Sequence, residues 1–216
     1  MWALPGAVAS IFGSNIAPVL VRRIRPAYVV SAGLALAGIG SALLTQTGTD
    51  SLALAVIGNS LMSLGFGFTF TLTADMVVTA APPERAGAAS AISETGAEFG
   101  GALGIAVLGS IGMAIYRGQI AGDMPAGLPV ETVEIAKETL GGAVTAAAEL
   151  GNATGAALAT AAHDAFVSGL HIVAVIGAAG FFALALLTVI ALRGIVIHGN
   201  EDATDEIPSR LIEAEV

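Results

Sequence analysis

SETGAEFGGALGIAVLGSIGMAIY, residues 93–116, places two glutamates inside a glycine- and alanine-rich stretch that is long enough to cross a membrane. Glu94 and Glu98 are four positions apart, which is about one turn of an α-helix. A carboxylate near the middle of a membrane-spanning helix costs roughly 2.5 kcal/mol or more, and such residues usually have a function. This stretch therefore predicts both the class of protein and the position of its site.

The composition of the whole chain is that of an integral membrane protein. The 216 residues are 55% hydrophobic and only 12% charged, and the mean hydropathy is +0.84. A typical soluble domain has about 25% charged residues. The chain has no cysteine, and its few basic residues are scattered, so it indicates neither thiolate metal sites nor a nucleic-acid partner. No Walker loop, nucleophile elbow or paired-histidine motif is present, and we expect no enzyme, metal or cofactor.

Five apolar segments predict five transmembrane helices, because only a helix satisfies the backbone of a lone segment in lipid. They cover residues 2–20, 27–45, 52–80, 87–115 and 166–192. The predicted fold class is all-α, with one membrane bundle in residues 1–199 and a disordered acidic tail in residues 200–216.

The long connection at residues 117–165 separates the last two spans. Pro129 and Glu131 are typical of a helix start, and we expect two or three short alanine-rich helices outside the membrane. Gly141–Gly142 and Gly151–Asn152 are predicted interruptions between them. A mobile linker is the alternative that the sequence leaves open.

Basic residues indicate the orientation of the bundle. Most of them follow the first, third and fifth spans, namely Arg22, Arg23, Arg25, Arg85 and Arg193. Alternating crossings put these loops on one side, which the positive-inside rule makes cytoplasmic. The prediction is an outside N-terminus, a cytoplasmic C-terminus and an extracellular helical loop. Five spans that start outside also predict a bundle that lacks its beginning, and a complete five-helix protein is the alternative.

The fourth span has two distinct faces. Small residues recur at every fourth position, at Gly96, Gly100 and Gly104. Such a stripe lets a neighbouring helix approach closely. With about 100° between successive residues, Glu94 and Glu98 point largely away from this stripe. One face is therefore predicted to pack against a helix, and another presents two acids to a different surface.

The charge of the glutamate pair has no obvious counterion. The other predicted spans contain no lysine or arginine, so hydrocarbon favours the protonated form of Glu94 and Glu98. A pair of this kind suits a proton carrier that also holds a cationic ligand. The alternative is that Glu94 forms a hydrogen bond with Ser90 or Thr95 and only stabilises packing.

Other polar residues in the spans allow more than one interpretation. Asp75, near the basic end of the third span, could act as a gate, pair with Arg85 or with a basic residue in another loop, or reach the membrane surface. His171, near one end of the fifth span, is expected to be structural. A further set could line a cavity or bond between helices: Asn15, Asn59, Thr69, Thr71 and Thr73.

Two segments resemble a known superfamily of transporters. The first is residues 5–26, PGAVASIFGSNIAPVLVRRIRP, which resembles the second helix of the C-terminal half of a major facilitator superfamily transporter and its basic cytoplasmic loop. The second is residues 84–111, ERAGAASAISETGAEFGGALGIAVLGSI, which resembles the penultimate helix of the fourteen-helix drug:proton antiporters, the QacA-like and EmrB-like efflux pumps. The long connection before the last helix fits the same pattern, so the resemblance extends from about Pro5 to Arg193.

The resemblance implies the C-terminal part of a proton-coupled multidrug efflux antiporter in a bacterial plasma membrane. The five spans would correspond to helices ten to fourteen, and the N-terminal half would be a missing partner. Glu94 and Glu98 would bind protons and amphipathic cations, with Glu98 as the main protonatable group, Glu94 as its partner and the proton gradient as the energy source. Asp75, on another span, is a further candidate for the same role. The chain departs from the family because it lacks that N-terminal half and its antiporter motif.

Two other hypotheses are compatible with the same residues. The chain could be a non-transporting remnant, or a membrane subunit that docks with a separate N-terminal half. It could also keep the fold and act on a different substrate, such as a lipid or a metabolite.

Overall fold

The computed structural model describes residues 4–48 and 51–192, and every regular element in this part of the chain is a helix. Seven α-helices follow one another: α1 Leu4–Leu20, α2 Pro26–Leu44, α3 Leu52–Ala80, α4 Ala86–Gly122, α5 Val130–Glu138, α6 Leu140–Leu150 and α7 Ala153–Leu192. A 3₁₀ turn, Pro83–Arg85, precedes α4. The predicted all-α fold class is confirmed, whereas the predicted tail at residues 200–216 lies outside the described residues.

Four of the described helices are long and apolar enough to cross a membrane: α2, α3, α4 with its preceding turn, and α7. α1, the first of the five predicted spans, is apolar but has 17 described residues, which is at the lower limit for crossing hydrocarbon. α4 continues to Gly122, past the predicted end at residue 115, and α7 begins at Ala153, well before residue 166. Both helices therefore extend beyond the predicted spans, whose bounds stay predictions.

α3 lies between α1 and α2, and glycines bring the three backbones together. A Cβ atom at Gly67 would lie 2.5 Å from the Ser10 carbonyl oxygen of α1, and one at Gly33 would lie 2.8 Å from the Gly65 carbonyl oxygen of α3. No larger residue fits these positions without moving a helix. In lipid, where apolar surface gives little drive for association, such close approach is a main source of helix packing energy.

α7 packs along α2 and is held there by two buried serines. Ser31 donates a hydrogen bond of 2.6 Å to the Ala185 carbonyl oxygen, and Ser41 donates one of 2.9 Å to the Ala174 carbonyl oxygen. Ser31 precedes Ser41 along α2, whereas its partner Ala185 follows Ala174 along α7. α2 and α7 therefore run in opposite directions. Each bond satisfies a hydroxyl group that would otherwise be buried without a partner.

A small helical cap closes one end of the bundle. It consists of α5 and α6 with the last turns of α4 and the first turns of α7, and its core includes Tyr116, Ile120, Ala136 and Leu158. The Tyr116 hydroxyl donates a hydrogen bond of 2.8 Å to the Ala136 carbonyl oxygen. α4 and α7 continue past their predicted ends because these extra turns bury apolar side chains against α5 and α6.

The predicted interruption at Gly141–Gly142 is wrong, because both glycines lie inside α6. Thr139 caps this helix, and its hydroxyl oxygen accepts a hydrogen bond of 3.0 Å from the Gly142 amide. A Cβ atom at Gly142 would lie 2.9 Å from the Ile135 carbonyl oxygen, so the glycine permits the close turn from α5 into α6. The interruption at Gly151 is confirmed, since this residue ends α6 with φ of 60°.

Candidate functional site

A cleft of about 670 Å³ separates α3 from α4. Pro82 and Pro83 fall in the short connection between the two helices. The α3 wall is formed by Phe70, Thr73 and Ala74. The α4 wall is formed by one helical stripe with the spacing of every third or fourth residue, which includes Ser93, Glu94, Ala97, Glu98, Gly101 and Ala102. Both predicted glutamates therefore lie on the same wall of one cleft.

The two carboxylates lie within the predicted fourth span, residues 87–115. Glu98 is twelve residues from the start of α4 at Ala86, about 18 Å along the helix axis. Glu94 and Glu98 are exposed in the cleft. Within residues 4–48 and 51–192, neither carboxylate takes part in an ion pair or a hydrogen bond.

The alternative role for Glu94, a hydrogen bond that only stabilises packing, does not occur in the described chain. The Thr95 hydroxyl instead donates to the Ala91 carbonyl oxygen at 2.8 Å, within its own helix. Ser90 makes no hydrogen bond with Glu94 in this part of the molecule. The glutamate side chain is therefore available to a ligand in the cleft.

The structure separates Asp75 from the glutamate pair. Asp75 is exposed and does not line the cleft. It follows Ala74 by one position, which turns its side chain about 100° away from the cleft wall. It makes no ion pair with Arg85 among the described residues. Two of the three predicted acids thus share one cleft, and the third faces another side of α3.

The predicted glycine stripe has no neighbour in the described part of the chain. Cβ atoms built at Gly96, Gly100 and Gly104 would meet nothing within 4 Å. A second groove, of about 420 Å³, runs beside the stripe along Thr95, Gly96 and Phe99. The expectation that a helix packs on this stripe stays a prediction, and that helix must come from outside the described residues.

Four of the five arginines predicted for the cytoplasmic loops lie at one end of the bundle, and the fifth, Arg193, lies outside the described residues. Gly6 of α1 contacts Asn59, and Gly13 contacts Gly67 further along α3, so α1 and α3 run in the same direction. The loop after α1 and the turn before α4 consequently share an end, opposite to the cap. Exposed arginines occupy both connections: Arg22, Arg23, Arg25 and Arg85.

His171 has the structural role that the sequence predicted. Its Nε2 atom lies 2.6 Å from the Thr47 carbonyl oxygen, just after the end of α2. An imidazole N–H that donates to this oxygen fixes α7 to the loop between α2 and α3. Of the polar set named from the sequence, Thr73 lines the cleft, whereas the Thr69 hydroxyl bonds within its own helix to the Gly65 carbonyl oxygen at 3.0 Å.

Sequence reasoning missed the aromatic wall of the cleft. Phe70 lines the cleft with 63% of its surface exposed, and its ring lies edge-on to Phe66 with centroids 6.2 Å apart. Phe66 in turn lies edge-on to Phe181 of α7, with centroids 5.5 Å apart. The three-residue spacing from Thr73 puts Phe70 on the same face of α3, but no sequence signal shows that this face is opposite α4.

The chemistry of the cleft suits an organic cation. One wall offers two carboxylates, and the other offers an aromatic ring and a hydroxyl group. The described residues contain no cluster of three or more metal-ligating side chains. Acidic residues within a membrane-spanning helix are typical of ion and substrate pathways. Fold and site together define a multi-pass α-helical membrane protein with the features of a transporter.

Comparison with known proteins identifies the transporter family. No family model matches the chain. The multidrug efflux pump LfrA of Mycolicibacterium smegmatis is 36% identical over 191 residues, which are 88% of this chain and 38% of the pump. The methyl viologen resistance protein SmvA of Salmonella typhimurium is 35% identical over 170 residues, 77% of this chain and 34% of that protein. The tetracenomycin C resistance and export protein of Streptomyces glaucescens is 28% identical over 213 residues, 95% of this chain and 39% of that protein.

The chain is a homologue of part of the major facilitator-type multidrug efflux and resistance pumps. It spans less than two fifths of the length of these relatives. The relatives are transporters and not enzymes. The resemblance that the sequence segments suggested is therefore confirmed.

Proposed function

We propose that this chain forms the C-terminal part of a proton-coupled antiporter that exports amphipathic organic cations. The observation that supports it best is the pair Glu94 and Glu98 on one wall of an open cleft, without a basic partner among the described residues. Relatives that are named for multidrug efflux and for methyl viologen resistance support this class of substrate.

In this proposal a proton and an organic cation are in balance at the same two carboxylates. A charged carboxylate at the centre of a membrane helix costs roughly 2.5–3.5 kcal/mol, and either a proton or a bound cation compensates that charge. An ionised pair attracts an organic cation, and a protonated pair releases it.

Exchange follows when this balance is applied to both sides of the membrane. Protons that enter from the outer side neutralise Glu94 and Glu98, and the bound cation leaves outward. After the site opens to the cytoplasm, the protons dissociate and the next cation binds to the ionised pair. Each cycle thus moves protons inward and the organic cation outward. Asp75, outside the cleft and near the basic end of α3, is proposed to act on entry to the site.

In this proposal the cleft needs a further wall, in addition to those formed by α3 and α4. It is open on the side away from α3 and α4, and the glycine stripe on α4 meets no described side chain. Major facilitator transporters work by rocking two halves around a site at the middle of the bilayer. We propose that an N-terminal half packs on the stripe and completes the cleft.

The proposed orientation places the C-terminus and the arginine-containing connections in the cytoplasm. It rests on the positive-inside rule and on the position of Arg22, Arg23, Arg25 and Arg85 at one end of the bundle. The cap is then extracellular, and the membrane is a bacterial plasma membrane. Labelling of single cysteines, introduced at Arg22 and in the cap at Glu131, tests this orientation directly, because the wild-type chain has no cysteine.

Export of ethidium tests the proposed function. The chain is expressed from its native locus with the upstream sequence, in cells without other cation pumps, and energised efflux is followed by fluorescence. The double variant Glu94→Gln, Glu98→Gln is expected to lose export to the level of empty cells, at an unchanged amount of protein in the membrane. Glu131→Gln, which removes an exposed acid from α5, is the matched control and should export normally. Full export by the double variant would refute the role of the pair.

Expression from the native locus also tests the hypothesis that this chain does not take part in transport. The partial coverage of the relatives is compatible with a split transporter or with a remnant. If the upstream sequence encodes about nine further helices, co-expression of both parts should restore export that neither part gives alone. Stable expression of this chain without any export, with or without the upstream sequence, would favour a remnant or an interaction module.

A further inference from the structure

We propose that Phe70 determines specificity in this cleft by selecting cations that contain a flat aromatic ring system. The inference rests on the proposed function, because it assigns a substrate preference to the same site. It differs from the proposed role of the two acids, which attract any organic cation of suitable size.

The position of Phe70 is the first argument. It is the only aromatic residue among those that line the cleft in the described part of the chain, and it lies on the α3 wall, opposite the glutamates of α4. Its surface is 63% exposed, so most of the ring is available to a ligand. A ring that lines a cleft next to charged groups supplies a contact surface for a ligand.

The shape of the cleft is the second argument. Next to the carboxylates, the α4 wall has small residues: Ala97 lies between the two acids in sequence, and Gly101 and Ala102 lie in the turn after Glu98. This wall leaves room for a thin molecule between α4 and the Phe70 ring. A planar aromatic cation in that space contacts the carboxylates with its charge and the phenyl ring with its π surface. A compact aliphatic ammonium ion gains less, because one ring does not form the aromatic cage that such ions need for strong binding.

The support behind Phe70 is the third argument. The Phe66 ring lies edge-on to Phe70 at an interplanar angle of 64°, and it lies edge-on to Phe181 at 67°. This row of three rings connects the cleft wall to α7. Edge-on contacts restrict the rotation of a ring, so the surface that Phe70 offers is positioned before a ligand arrives.

The experiment compares two substrates and two kinds of substitution. Efflux of ethidium, a planar aromatic cation, and of dodecyltrimethylammonium, an aliphatic one, is measured in cells that express the protein from its native locus. Phe70→Leu removes the ring and keeps an apolar side chain, whereas Phe70→Trp keeps an aromatic surface. Phe12→Leu is the matched control, since Phe12 is 60% exposed on α1 and does not line the cleft.

The expected result is a change in selectivity. Phe70→Leu should raise the KM for ethidium about tenfold, and it should change the KM for the aliphatic cation less than twofold. Phe70→Trp should keep the ethidium KM within about twofold of the wild type, and Phe12→Leu should change neither. If Leu at this position lowers the amount of protein in the membrane, Phe70→Met, with a more adaptable apolar side chain, gives the same comparison. An equal change for both cations, or an unchanged ethidium KM, overturns the inference.

Failure of the inference can be told apart from failure of the proposed function. If the wild-type protein exports neither cation, or if the double glutamine variant still exports both, the proposed function fails. If the wild type exports both cations, the glutamine variant exports neither, and Phe70→Leu does not discriminate between them, only the assignment of Phe70 fails.

Discussion

Gly67→Ala is expected to destabilise the bundle, because the new methyl group meets the backbone of α1. A Cβ atom at this position would lie 2.5 Å from the Ser10 carbonyl oxygen and 3.0 Å from the Ser14 nitrogen. Both atoms belong to a helix backbone and cannot rotate away as a side chain can. For the first contact to reach an ordinary distance of about 3.4 Å, α1 and α3 must separate locally by roughly 0.9 Å.

The magnitude follows from this displacement. A gap of 0.5–1 Å already removes about a quarter to a half of the attraction between packed atoms, and overpacking in a close interface typically costs about 1–3 kcal/mol. The gain of alanine over glycine in helix propensity, up to about 1 kcal/mol, offsets part of this cost. We therefore expect a net loss of about 1–2 kcal/mol, which corresponds to a midpoint of thermal unfolding lower by about 2–8 °C.

The assay is thermal unfolding of the detergent-extracted protein, followed by the fraction that remains monodisperse in gel filtration. The control is Gly118→Ala, because a Cβ atom at Gly118 would meet nothing within 4 Å. This variant should be as stable as the wild type or slightly more stable. If Gly67→Ala unfolds at the same temperature as Gly118→Ala, the close approach of α1 and α3 is not what stabilises the bundle.

Three further predictions address other contacts. Tyr116→Phe leaves the Ala136 carbonyl oxygen without its hydrogen-bond donor, at a cost of about 1–3 kcal/mol. The variant should therefore be cleaved faster by proteases in the loop at residues 123–129. An unchanged rate of cleavage would show that this hydrogen bond does not hold the cap in place. Ser41→Ala removes one hydrogen bond between α2 and α7, worth about 0.6 kcal/mol in a membrane protein. The melting temperature of this variant should therefore fall less than that of Gly67→Ala. A larger fall would be evidence against this estimate. Gly104→Leu, expressed from the native locus, should abolish export of ethidium without loss of protein. The reason is that a helix from outside the described residues is proposed to pack on Gly104. Normal export would exclude that packing.

The face of α4 that lines the cleft was predictable from the sequence, because it depends only on helical periodicity. Glu94 and Glu98 share a stripe at a spacing of four, and the same rule turned them away from the glycines. The opposite wall was not predictable. Phe70 is one of several apolar residues on α3, and its role depends on which face of α3 is turned towards α4. That orientation is set by the packing of α3 between α1 and α2, which a single sequence does not show.

The ends of the helices also depend on tertiary packing that a single sequence does not show. Hydropathy located the apolar part of α4 but not its end at Gly122, because the last turns are stabilised by burial of Tyr116 and Ile120 in the cap and not by contact with lipid. At Gly142 the low helix propensity of glycine predicted a break. The structure keeps the helix there because Thr139 caps it and because a glycine is needed for the close approach to Ile135.

The distribution of burial along α4 explains how the bundle tolerates an open cleft. The buried residues of α4 are Tyr116 and Ile120, both in the cap, and Gly112 is in close contact with Gly169 and Val173 of α7. The other half of the helix, which contains the two glutamates, is exposed on nearly every side. α4 is thus attached to the bundle at one end, through the cap and α7. This attachment does not depend on contact between α3 and the half of α4 that contains Glu94 and Glu98. Because the attachment and the acids occupy different halves of one helix, the glutamate wall can face a ligand and a second transporter half without loss of the packing that holds α4 in place.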